Sequence, residues 1–162
     1  MKPGSSMHSS QVIARSLKIT RTTHSLVAAI TAAVALNSMV AIQYLDVSGQ
    51  AALLVAVFVS LGVGSLAVSK DVYSRSIQTV ANLRSIGATT GSISSALASA
   101  MIVYGLMGAV VGVAAGGALG LTFGSSGAGS VSLLSEAIGV IAASSGAIAA
   151  GFYIGARTTW RS

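Results

Sequence analysis

Long runs of apolar residues alternate with short polar breaks along this chain. The apolar runs cover 25–45, 51–68, 93–123 and 131–155. A helix rises about 1.5 Å per residue, so a run of about 20 residues crosses a hydrocarbon layer about 30 Å thick. The pattern predicts an all-α integral membrane protein with four transmembrane helices. A basic leader before the first run also fits a signal peptide. Signal peptides have a shorter apolar core of about 7–15 residues, so Ser25 to Leu45 reads as an uncleaved span. Asp46 to Gln50 is a tight connection, and Gly124 to Ser130 (GSSGAGS) a flexible outer loop.

The long polar interruption is Ser69 to Gly91, between the second and third runs. Its apolar residues Val72, Ile77, Val80, Leu83 and Ile86 keep a helical spacing. Ser74, Arg75, Gln78, Asn82 and Ser85 largely face elsewhere. That arrangement predicts a basic amphipathic helix over 71–88, lying at the membrane surface with one apolar face. Asp71 suits the positive N-terminus of such a helix, and Thr89, Thr90 and Gly91 mark a break after it.

Composition agrees with the pattern. Of 162 residues 53% are hydrophobic and only 7% charged, whereas a soluble domain carries about 25% charge. There is too little charge to cover a water-facing surface, and no room for a second soluble domain. A net charge of +6 on a soluble protein would point to nucleic acid. Here its placement points to topology instead. Lys2, Arg15, Lys18 and Arg21 precede the first run. Lys70, Arg75 and Arg84 lie between the second and third, and Arg157 and Arg161 follow the fourth. The other two connections hold no Lys or Arg. Every basic residue then falls on one side, with both termini cytoplasmic by the positive-inside rule. The expected location is an inner, energised cell membrane. Residues 1–24 form a cytoplasmic tail, within which Gln11 to Arg21 is either a headgroup-layer helix or a basic flank that orients the first span. Residues 156–162 form a second cytoplasmic tail, and Tyr153 and Trp160 suit an interfacial belt.

Two rows of small residues stand out. Gly108, Gly112, Gly116 and Gly120 recur every four residues in the third run, and Gly139, Ala143, Ala147, Gly151 and Gly155 mark the fourth. Such a spacing brings them to nearly one helix face, where another backbone can approach closely. The partner helix is either in the same chain or in another copy.

No catalytic constellation is visible. The acids are Asp46, Asp71 and Glu136 alone, and His8 and His24 lack metal-ligand spacing. No serine sits in a Gly-x-Ser-x-Gly turn, and no Gly-x4-Gly-Lys-Ser/Thr phosphate loop is present. No cofactor or metal is expected in this chain, and it reads as a non-catalytic membrane subunit. Cysteine is absent, so nothing is learned about redox compartment. Two polar residues lie within spans. Glu136 is either a polar-pathway group or an interfacial one reaching the outer headgroups. Asn37 is either bonded to a neighbouring helix or part of a transport path.

Leu83-Arg84-Ser85-Ile86-Gly87-Ala88-Thr89, followed by Ile93 and a span with Gly105, Gly108, Gly112 and Gly120, resembles the signature of FtsX-like (MacB-type) ABC transporter permeases. In that family a cytoplasmic helix ends in Leu-Arg-x-Ile-Gly-Ala and leads into a glycine-rich span. The resemblance covers about Gln11 to Gly155; its sharp motif is short. Where the family commonly has a large extracellular domain this chain has only Asp46 to Gln50. Thr79 stands at a frequent Glu, and Ala98, Ser99 and Ala100 at a frequent acid. The resemblance implies a permease subunit, homo- or heterodimeric, served by a separate ABC ATPase. Helix 71–88 would be its coupling helix, docking the ATPase through Val72, Arg75, Ile77, Val80, Leu83, Arg84, Ile86 and Gly87. Two other readings stay open: a scaffolding membrane protein that oligomerises through the Gly/Ala rows, and a small self-contained transporter or channel using Glu136 and Asn37.

Overall fold

The computed structural model describes residues 21–123 and 130–159. The described residues form helices α1 (Arg21–Ile42), α2 (Val47–Ser85), α3 (Thr90–Phe123) and α4 (Ser130–Thr159), with no strand among them. All 4 are long and apolar enough to cross a membrane. The chain is an all-α, multi-pass membrane protein. The expected helix over Gln11 to Arg21 (except Arg21 itself), the loop Gly124 to Ser130 (except Ser130 itself), Trp160 and Arg161 lie outside the described residues.

α1 ends in a short turn, in which the Tyr44 amide donates to the Ala41 carbonyl at 3.0 Å. Asp46 then caps α2: its carboxylate accepts the Gly49 amide at 2.9 Å and the Ser48 hydroxyl at 2.8 Å. A side-chain oxygen at this position satisfies amides that the helix leaves orphaned. Asp46 to Gln50 is therefore not a connection, as its polarity suggested, but a cap and a first helical turn.

The largest difference from expectation is in α2. Span 51–68 and surface helix 71–88 are one continuous helix of 39 residues. At about 1.5 Å per residue it is about 58 Å long, roughly twice the hydrocarbon thickness. No Gly or Pro lies between Gly64 and Gly87, so nothing breaks the backbone where the side chains turn polar. The buried stripe Val57, Leu61, Ser65, Ser69, Val72, Ser76, Val80 and Leu83 passes straight through Ser69. The polar interruption changes what one face meets, not the fold of the backbone.

Helix packing does not simply follow sequence order. α1 packs along α3, α2 along α4, and α3 against α4, whereas α1 and α2 scarcely touch. They leave a seam containing a cavity of about 70 Å³ beside Val27, Thr31, Leu61 and Gly64. The core forms three clusters. One, toward the Asp46 end, joins Met39 and Ile42 to Val113 and Val140. A second centres on Val57, Leu61 and Ala147. The third joins Val72, Val80 and Leu83 of α2 to Ile93, Leu97 and Met101 of α3 and to Ile148 and Phe152 of α4.

Cross-helix contacts set a common level at the opposite end. His24 of α1 stacks on Tyr104 of α3, with ring centroids 4.1 Å apart. Gly155 of α4 lies against Ser69 of α2. Arg21, Lys70 and Arg157 stand near this level and form a basic rim. Beyond it project the last part of α2, from Lys70 to Ser85, and the first turn of α3; Ile93, Leu97 and Met101 of α3 already pack beside Ile148 and Phe152 of α4, inside the rim.

Candidate functional site

The projection ends in a turn whose chemistry is legible residue by residue. Gly87 has φ +93°, the left-handed region that glycine alone enters cheaply. Its amide donates to the Arg84 carbonyl at 3.0 Å, and the Ala88 amide donates to the Leu83 carbonyl at 2.9 Å. These paired bonds across a left-handed glycine make a Schellman motif. Leu83 and Ala88 belong to one apolar cluster, the contact that commonly accompanies this helix end. Thr89 then caps α3, its hydroxyl oxygen accepting the Ser92 amide at 3.2 Å. Leu83, Gly87 and Ala88 therefore serve the fold locally, stopping one helix so that another can start.

The expected docking residues divide into two sets. Val72 (4% exposed), Val80 (2%) and Leu83 (7%) are buried in the chain's own core. They cannot meet a partner, which corrects the expectation of a free apolar face at 72, 80 and 83. Intramolecular packing against α3 and α4 takes that face. Ile77 (55%) and Ile86 (80%) are exposed. Arg75 is exposed and pairs with Asp71, Nε to Oδ2 3.1 Å; Asp71 serves this pair in mid-helix rather than a helix cap. Arg84 lies half-buried in the last turn of α2. The available surface toward the tip is thus Ile77, Arg84, Ile86 and the Gly87 turn, with Arg75 nearer the rim beside Thr22 and Thr23 of α1.

Both small-residue rows are used inside the chain. A methyl group at Gly108 or Gly112 would strike the carbonyl oxygen of Ala28 or Ala32 of α1. At Gly116 it would lie 2.7 Å from the Leu36 oxygen, and at Gly120 it would meet the Gln43 side chain. Glycines four apart on α3 thus match carbonyls four apart on α1, and the absent side chains let the two backbones touch. On α4, Gly151 abuts the Gly62 carbonyl and lies 2.6 Å, at its built methyl position, from Ser65 Cβ; Gly155 is similarly 2.8 Å from Ser69 Cβ. Ala147 is fully buried and Ala143 packs partly buried beside Val57 and Leu61. Gly139 has ordinary spacing, 3.4 Å from Leu54. The scaffolding reading needs these rows free for another copy, and they are occupied. Sequence reasoning missed the matching faces, Ala28, Ala32 and Leu36 on α1 and Gly62, Ser65 and Ser69 on α2. On α2 the spacing of the small residues Gly62, Ser65 and Ser69 was the available signal; the α1 face, which includes Leu36, had none.

The polar-path residues do not come together. Asn37 faces out of the bundle and its Nδ2 donates to the Ala33 carbonyl of its own helix at 2.8 Å, not to a neighbouring helix. Glu136 is half-buried, with Oε2 turned inward and unbonded. Buried hydroxyls of Thr31 and Ser38 are bonded within α1, to Val27 and Val34 carbonyls at 2.6 and 2.7 Å. Among the described residues no group of three or more His, Cys, Asp or Glu could hold a metal ion. Compared with protein-family models, curated proteins and solved structures, the chain matches none of them.

Proposed function

We propose that this chain is the membrane subunit of an FtsX/MacB-type transporter, moved by an ABC ATPase that docks on the α2–α3 tip. The observation that carries the reading is α2 itself. It runs without a break from the Asp46 cap, through the bundle, to an exposed turn beyond the basic rim. A continuous helix carries displacement at its tip to the buried stripe from Val80 to Val57 with no hinge to absorb it. Of the motif residues, Leu83, Gly87 and Ala88 are explained by the helix stop. Arg84 and Ile86 are not needed for it, and Ile86 stands free. An exposed isoleucine two residues from an arginine is suited to a groove with an apolar floor and an acidic edge. The positive-inside rule supports a cytoplasmic placement of the tip and of both termini. ATP then acts by favouring one packing of α2 and α3 over another, which requires different affinities of the ATPase for the two.

The test is purification of the whole chain from its own membranes, with and without ATP, followed by identification of any nucleotide-binding subunit retained. The expected result is an ABC ATPase that Ile86→Asp releases while the variant remains folded in the membrane. No such ATPase, or full retention by Ile86→Asp, refutes the reading.

A further inference from the structure

We propose that α1 pairs with α1 of a second copy of this chain, the Asn37 side-chain amides bonding to each other across a two-fold axis. The inference goes beyond ATPase docking and does not depend on it.

Asn37 is exposed on the outer face of α1. At about 1.5 Å per residue it lies about 20 Å from His24 and about 9 Å from Gln43, well inside the apolar segment. A side chain this short cannot reach either rim. A carboxamide offers two N–H donors and an acceptor oxygen. One N–H goes to the Ala33 carbonyl; the second N–H and Oδ1 have no partner among the described residues. Other exposed hydroxyls in the spans differ. Ser60 and Thr122 each give their single proton to a carbonyl of their own helix and have no donor left over. In hydrocarbon no water serves the remaining amide groups of Asn37, and each is costly unpaired.

The occupant follows from the chemistry. An amide is donor and acceptor at once, so it is complementary to itself. A two-fold axis along the membrane normal brings the same residue of two copies together. The surrounding face permits it: Ala33 and Ala29, one and two turns away, are small and exposed, and Leu26 and Ile30 are exposed apolar flanks. The glycine faces of α3 and α4 that could otherwise mediate pairing are already covered by α1 and α2.

The chain lacks cysteine, so single cysteines report on one face cleanly. The full chain in liposomes, carrying Ala33→Cys, should form a disulfide-linked dimer on oxidation, while Val59→Cys on the exposed face of α2 should not. Asn37→Val should weaken association roughly eightfold, the loss of two interhelical bonds of about 0.6 kcal/mol each. Asn37→Gln, which keeps the amide, should restore most of it, and circular dichroism should show all variants equally helical. Crosslinking through Ala33→Cys no faster than through Val59→Cys overturns the proposal. So does undiminished association of Asn37→Val, or a chain that stays monomeric in the bilayer. No ATPase is present in the assay, so its failure leaves the docking question separate.

Discussion

Adding one methyl group at Gly112 should push α1 off α3. The built Cβ collides with the Ala32 carbonyl oxygen and comes within 2.9 Å of Ala35 Cβ and 3.0 Å of the Ala32 carbonyl carbon. Carbon atoms prefer about 3.5–4.0 Å, so α1 must retreat by roughly half an ångström to an ångström. The obstacles are mainly backbone and cannot swing aside as a side-chain end can. Overpacking of this kind costs about 1–3 kcal/mol. Helix propensity acts the other way, since Ala is favoured over Gly by about 1 kcal/mol. The comparison that removes this offset is Gly117→Ala, in the same helix, where the added Cβ meets nothing within 4 Å. The difference between the two variants isolates the steric cost, about 5- to 150-fold in the unfolding equilibrium. Steric trapping of the unfolded state in bicelles measures it for both. Gly112→Ala and Gly117→Ala within about 0.5 kcal/mol of each other would refute the close backbone approach, because the clash alone exceeds that figure.

Other consequences follow at single residues. Gly87→Ala places a side chain at φ +93° and should cost about 1–2 kcal/mol, seen as faster amide exchange through the Leu83 to Ala88 turn. Leu83→Asp puts a charge at a buried site and should cost more than about 3 kcal/mol, lowering the yield of folded protein from detergent extracts. Ile86→Asp, on an exposed site, should leave that yield unchanged. The Ser48 hydroxyl and the Gly49 amide hold the Asp46 carboxyl below the usual carboxylate range. The sign is that of a depressed acid: its contribution to the α2 cap is complete above the unfolded-state pKa and is lost as pH falls through the folded value. The protection of the Gly49 amide, its exchange rate relative to the intrinsic rate at each pH, should fall on acidification, and Asp46→Asn should remove most of that pH dependence.

Apolar run length and the distribution of Lys and Arg determined the number of helices and the end at which charge collects, because a bilayer sets a minimum length and tolerates little charge within it. The glycine spacing on α3 determined that a backbone must come close. The same spacing could not say whose backbone. That depends on the matching carbonyls of Ala28, Ala32 and Leu36, which lie about 80 residues away and carry no signature of their own. The apolar face at Val72, Val80 and Leu83 was equally plain and equally silent about its cover. Its burial by α3 and α4 left only Ile77 and Ile86 of the expected apolar surface, and only the packed bundle decides which hydrophobic residues are spent internally. The unbroken course of α2 was readable from the lack of Gly and Pro between Gly64 and Gly87, although its side chains turn polar midway. Backbone continuity is a local property and side chains declare it. Pairing of helices is a property of surfaces, and those exist only once the chain has folded.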